Sequence, residues 1–192
     1  MGREICYSHS RGENNSMIFT NTKLNDVVII EIEKHQDERG FFARTWDEKK
    51  FREKGLNSEI VQCSISFNLK KGTLRGMHFQ KNPYEETKIV SCIKGSIFDV
   101  IIDLRSNSDT YKKWFGIELN SNEHKSIFIP EGFAHGFQSL ENETEVFYQI
   151  SEFYKPSHSG GIRWNDPVFG IRWPLSNPII SKKDLVWNDF VE

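Results

Sequence analysis

The sequence predicts an all-β fold, an antiparallel sandwich or barrel, and three observations carry that expectation. Short runs rich in β-branched and aromatic residues recur from Val27 to Tyr154. Gly, Asn, Ser and Pro separate them at roughly the spacing of antiparallel strands. Between those runs only one segment, DEKKFREKGL, combines charge with spaced apolar residues in the manner of a short surface helix.

Taken in order, residues 1–17 are polar, contain Gly and Asn and show no period, so they read as a flexible leader or vector remnant. Residues 18–192 then form one expected domain, since 192 residues supply a single apolar core but not two. The strand candidates are VVIIEIE, RGFFART, SEIVQCSIS, TLRGMHF, KIVSCI, SIFDVIIDL, WFGIEL, SIFIP and EVFYQISEFY. Beyond them, WNDPVFGIRWPLSNPIISKKD reads as a loop-rich wrap carrying Trp164 and Trp173, with Trp187 just after it, because its prolines forbid a central strand.

Net charge is −2 with Lys and Arg scattered, so the basic stripe of a nucleic-acid binder is missing and the expected partner is small. No apolar run has the length of a membrane span, and MGREICYSHSRGENN lacks the apolar core of a signal peptide. The expectation is a soluble, cytoplasmic protein without nucleic-acid or membrane partners. Cys6, Cys63 and Cys92 are an odd count without a C-x-x-C pair, which reads as reduced structural thiols.

Alternation along a strand selects the residues that could carry chemistry. In TLRGMHFQ it groups His78 with Leu74, Gly76 and Gln80; in TKIVSCIKG it groups Lys88 with Val90 and Cys92; in EVFYQI it groups Tyr148 with Val146 and Ile150. Each has a bland reading as well: a satisfied core histidine, an edge lysine laying its stem on apolar surface, a core tyrosine with a bonded hydroxyl. The run IFIPEGFAHGF is more specific, with Pro130, Gly132 and His135 arranged like the second cupin signature. The first cupin signature carries H-x-H and a Glu, whereas His78 stands between Met77 and Phe79, so no metal is expected.

GTLRGMHFQ, TKIVSCIKGSIFDVIIDLRSNSDTY, IPEGFAHGFQSL, GIRWNDPVFGIRWP and PIISKKD, in this order, closely resemble the dTDP-4-dehydrorhamnose 3,5-epimerase family, the RmlC-like cupins. The resemblance runs from about Lys23 to Asp184. It implies a jelly-roll barrel with short peripheral helices, a homodimer, a nucleotide-sugar substrate, and work in deoxysugar biosynthesis without metal or organic cofactor. Carried over by motif, it implies that His78 is the base, Lys88 the cation beside the keto oxygen, Tyr148 the opposing acid and Asp184 the carboxylate paired with the base. His135 lines the same pocket. Arg39 and Arg75 resemble diphosphate contacts, and Phe42, Gln62 and Tyr154 resemble residues around the nucleotide, with Arg163 of GIRWNDP placed in the substrate-binding set. Strict alternation would set Arg75 opposite His78, and a bulge at Gly76 would reconcile them.

The sequence departs from the family pattern at Arg44, where a Glu is usual, and at Cys63 and Ser64, where Asp-Asn is usual. These departures bear on the nucleotide base. They keep open a CDP- or GDP-linked keto sugar and inversion at C3 or C5 alone, beside a 3,4-ketoisomerase and a non-catalytic sugar-binding cupin.

Overall fold

Half-apolar runs this short bury a face only by pairing edge to edge and packing against a second layer. The computed structural model describes residues 17–191. In chain order its strands are β1 (Met17–Asn21), β2 (Val28–Ile32), β3 (His35–Asp37), β4 (Gly40–Phe42), β5 (Gln62–Asn68), β6 (Thr73–Gln80), β7 (Lys88–Lys94), β8 (Ser96–Asp103), β9 (Trp114–Asn120), β10 (Ser126–Ile129), β11 (Phe133–Ser139), β12 (Thr144–Ile150), β13 (Ser159–Gly161) and β14 (Ile179–Ile180). Helix α1 (Glu48–Glu53) follows β4 and helix α2 (Lys182–Leu185) follows β14.

One sheet has the order β1-β2-β10-β7-β12-β5; the other runs β13-β6-β11-β8-β9, with β14 parallel on β6. Among the described residues the β3–β4 hairpin pairs only with itself. Val90, Cys92, Ile127, Ile129 and Val146 of the first sheet pack against Ile97, Ile101, Leu119, Phe133 and Phe137 of the second. This is the jelly-roll barrel implied by the resemblance. The outer faces are covered in part, the first by α1 over β1, β2 and β10 and the second by the C-terminal wrap through Ile162, Phe169, Trp173 and Phe190.

Helix α1 forms where the charged segment predicts it. Asp47 caps it by accepting from the Lys50 N–H at 3.1 Å, and Phe51 buries its ring against Phe19 and Phe128. Of the expected leader, residues 1–16 lie outside the described residues. Met17, grouped with them on composition, instead opens β1 and is buried beside Val28, Ile30 and Phe51.

Strand β6 breaks strict alternation. His78 pairs with His135 and Arg75 with Phe137, so three steps on β6 match two on β11 and the extra residue is taken up at Gly76–Met77. Gly76 has φ +135°, and a Cβ there would lie 2.5 Å from the Gly136 Cα; a Cβ on Gly136 would lie 2.7 Å from the Arg75 carbonyl oxygen. Two glycines facing each other make the bulge possible. Its effect is to turn Arg75 onto the face of His78 and Gln80, so the grouping of His78 with Leu74 and Gly76 is corrected.

Candidate active site

Between the two sheets, near the β5–β6 edge, lies a cavity of about 500 Å³. Strands β5, β7 and β12 present Gln62, Ser64, Ser66, Lys88 and Tyr148 to it; β6 and β11 present Arg75, His78, Gln80 and His135. The residues singled out on three separate strands, His78, Lys88 and Tyr148, thus meet in one space. A larger groove of about 960 Å³ lies between the β1–β2 turn and α1, but among the described residues no histidine or tyrosine lines it, and its Arg105 is held by Asp103 and Asp26.

Asp184 is 106 residues from His78 in sequence, and its Oδ1 lies 2.7 Å from His78 Nε2. The tail delivers it in two steps. Ile179 and Ile180 pair with Thr73 and Leu74 of the histidine's own strand, and Ser181 caps α2 by accepting from the Asp184 N–H. Gly161 leaves room for the Trp187 indole, whose Nε1 donates to Asp184 at 3.4 Å. Burial alone would raise the Asp184 carboxyl, but the hydrogen bond and charge of His78 and the donor of Trp187 outweigh it and hold the group below the usual carboxylate range. A carboxylate accepting from Nε2–H leaves Nδ1 as the basic nitrogen of His78.

A second pair joins β11 to β8, its histidine being the register partner of His78. His135 Nε2 lies 2.7 Å from Asp99 Oδ1, and Asp99 is fully buried. Burial pushes the Asp99 carboxyl up despite the opposing pull of His135 and Lys88. The Tyr148 ring packs edge-on to His135, with centroids 6.1 Å apart. Its phenol is pushed well above the ordinary value by burial and by the Asp99 charge, with Arg75 opposing, so the hydroxyl keeps its proton through the neutral range. Lys88 is buried rather than spread over the surface.

At the mouth, Arg75 donates from Nε to Asn68 Oδ1 at 2.8 Å and from Nη2 to the Phe67 carbonyl at 3.2 Å. Gln62 and Tyr154 also meet there, with the Tyr154 N–H donating to Gln62 Oε1 at 2.7 Å. Gln80 ties two rim loops together by donating to the Tyr84 carbonyl and accepting from the Lys155 N–H.

Three expected binding residues fall elsewhere. Arg39 and Phe42 lie on the β3–β4 hairpin, outside this cavity; Arg39 is paired with Asp37, and Phe42 is 68 % exposed. The reason is that the hairpin pairs with neither sheet. Arg163 is engaged by Asp189 at 2.6 Å, and its N–H donates to the Asn188 carbonyl, so it clamps the C-terminal segment. Of the departures from the family pattern, Ser64 lines the cavity, Cys63 is exposed on β5 and so is no core thiol, and Arg44 pairs with Asp47 at the cap of α1.

Sequence reasoning missed Asp99, Ser66, Glu86 and Lys183. Asp99 had a signal: a carboxylate between Ile97 and Ile101 on the inward face of an otherwise apolar strand needs a partner. Among the described residues no group of three or more His, Cys, Asp or Glu is placed to hold a metal ion. No helix among them is long and apolar enough to cross a membrane.

The family model for dTDP-4-dehydrorhamnose 3,5-epimerase matches residues 21–192. Among curated proteins so named, that of Methanothermobacter thermautotrophicus is 46 % identical over 177 residues, covering 91 % of this chain and 95 % of the relative. The one from Shigella flexneri is 42 % identical, covering 89 % and 94 %. The crystal structure of the Bacillus anthracis enzyme, with TDP and PPi bound, superposes with a TM-score of 0.89 at 38 % identity, covering 91 % of this chain and all of that one. The Legionella pneumophila enzyme in complex with dTDP-4-keto-L-rhamnose superposes with a TM-score of 0.85 at 35 % identity, covering 91 % and 93 %. With its jelly roll, its inward histidine and relatives of this similarity along nearly its whole length, the chain belongs to the dTDP-4-dehydrorhamnose 3,5-epimerase family.

Proposed function

We propose that this protein converts dTDP-4-dehydro-6-deoxyglucose to dTDP-4-dehydrorhamnose by inverting the carbons beside the ketone, C3 and C5. The observation that carries the reading is the convergence of His78, Lys88 and Tyr148 on one cavity, with His78 held 2.7 Å from Asp184. A hydrogen next to a carbonyl is removable when the charge left behind moves onto oxygen. His78 Nδ1 takes that proton and becomes an imidazolium stabilised by Asp184. Lys88, with His135 beside it, stabilises the enolate oxygen. Tyr148 returns a proton to the opposite face, and its hydroxyl suits the task because it stays protonated.

Relatives named for the two-centre dTDP activity, at up to 46 % identity, disfavour the CDP- or GDP-linked, single-centre, ketoisomerase and non-catalytic readings. The test is deuterium wash-in at C3 and C5, followed by NMR in D₂O on dTDP-4-dehydro-6-deoxyglucose. His78→Ala should lose about 10²–10⁴ in rate. Binding of that sugar without exchange or inversion would overturn the reading.

The same reading makes the protein a homodimer whose second copy supplies Arg39 and Phe42 to the neighbouring site. Exposed Phe41, Phe42, Ile65 and Phe67 support it, since apolar surface of this kind favours a covered state. Light scattering that finds a fully active monomer would remove this part. A cytoplasmic location is supported by the free thiols of Cys63 and Cys92.

A further inference from the structure

Lys88 has a partner of its own inside the site. Its Nζ lies 2.8 Å from Glu86 Oε1, the two side chains are only 10 % and 11 % exposed, and both line the cavity. The pairing follows from the chain path, because residues two apart in extended backbone project to one side. The backbone between them is pinned to the end of β12, with the Thr87 N–H donating to Ser151 Oγ at 2.8 Å and the Ser151 N–H donating to the Thr87 carbonyl at 3.1 Å. Three basic groups of the site therefore have a carboxylate each: His78 with Asp184, His135 with Asp99, Lys88 with Glu86.

We propose that Glu86 is a positioning residue for the epimerisation, which aims the Lys88 ammonium at the substrate's keto oxygen. The inference rests on the assignment of Lys88 to that oxygen. A lysine stem has four rotatable bonds, and one short ion pair selects a single direction for its end. Glu86 also offsets part of the cation's pull on the forming enolate. The site thus accepts a weaker pull in exchange for a cation held in place.

Among the described residues no other group duplicates this role. At the same register the flanking strands offer Ile129 and Ile150, which are uncharged. The remaining titratable or charged groups facing the cavity are Arg75, His78, His135, Tyr148, Tyr154 and Lys183, none of them a carboxylate. Asp99 couples electrostatically to Lys88 but is bonded to His135.

The test compares the parent chain with Glu86→Gln and Glu86→Asp, each checked for folding by circular dichroism, in kcat and KM at one fixed pH on dTDP-4-dehydro-6-deoxyglucose. In Glu86→Gln kcat should fall by about tenfold to 10²-fold with KM little changed, because a cation that is no longer aimed misses the forming charge. Glu86→Asp should bring kcat most of the way back. A second readout does not use turnover: acylation of Lys88 by an amine reagent at the same pH, measured by peptide mass spectrometry, should be faster in Glu86→Gln, where the side chain is released. Unchanged kcat and unchanged labelling rates in folded variants would overturn the role of Glu86. A parent protein that neither exchanges nor inverts the sugar would instead overturn the proposed reaction, and the labelling comparison would still decide whether Glu86 holds the lysine in place.

Discussion

Replacing Asp184 with Asn removes the charge behind the proposed base while keeping its size. The pair is 2.7 Å long, the carboxylate side chain is 7 % exposed and the imidazole 37 %. Two unit charges about 4 Å apart interact by about 4 kcal/mol at the effective dielectric typical near a protein surface. Solvent on the open side of the ring screens roughly half of that, leaving about 2 kcal/mol, or about thirtyfold in the rate of the step that creates the imidazolium. An amide also presents either its oxygen or its NH₂ to the ring, so it does not enforce the tautomer with a free Nδ1, which costs a further factor of about ten. The expected loss is about 10²–10³ in deuterium wash-in, less than the ~10⁴ of the equivalent change in a Ser-His-Asp triad. The assay is NMR in D₂O at fixed pH, with thermal unfolding to confirm the fold. A folded Asp184→Asn protein exchanging within about threefold of the parent would refute the argument, because a charge coupled to the base cannot be silent.

Tyr148→Phe should separate the two proton transfers: exchange with retention continues, and inverted product falls by about 10²–10⁴, read as the ratio of exchanged to inverted sugar. Asp103 accepts from Ser108 Oγ and Thr110 Oγ1, both at 2.7 Å, and from the Arg105 guanidinium, so Asp103→Asn should cost about 3–5 kcal/mol in chemical denaturation. Burial raises the Asp103 carboxyl, but Arg105, Ser108 and Thr110 outweigh it, so its folded value is below the unfolded 3.8. Its contribution is therefore present above about pH 4 and lost as pH falls through the depressed value, and the parent's acid unfolding should show that loss while Asp103→Asn does not. Gly76→Ala places a Cβ 2.5 Å from the Gly136 Cα at a φ of +135°. It should cost about 1–3 kcal/mol and lower exchange activity together with stability, since the bulge aims both Arg75 and His78.

Much of the barrel is visible in the order of residues because its signals are local. SIFDVIIDL and KIVSCI are β-rich over their whole length and become β8 and β7, and DEKKFREKGL contains α1. Tyr148 and Lys88 were legible because alternation alone puts them with Val146 and Val90, which pack in the core. Strand β1 was missed because MIFTN has too few residues for its pattern to show; its burial comes from Val28, Ile30 and Phe51. Glu86 was missed because one of two adjacent acidic residues before a strand looks like any solvated loop residue until the chain path turns it into the cavity.

What the linear order of residues settles here is the barrel class, the strands that carry the histidines, the lysine and the tyrosine, and, through ordered motifs, the family. The folded chain settles which groups touch. It turns Arg75 toward His78 through a bulge whose room comes from Gly136 on another strand, and it brings Asp184 across 106 residues to the base. It also leaves Arg39 and Phe42 outside the cavity and ties Arg163 to Asp189. The physical reason is the range of the interactions. Propensity and alternation act over a few neighbouring residues, whereas an ion pair, a close glycine contact or a cavity wall depends on segments that only the packing of two sheets brings together.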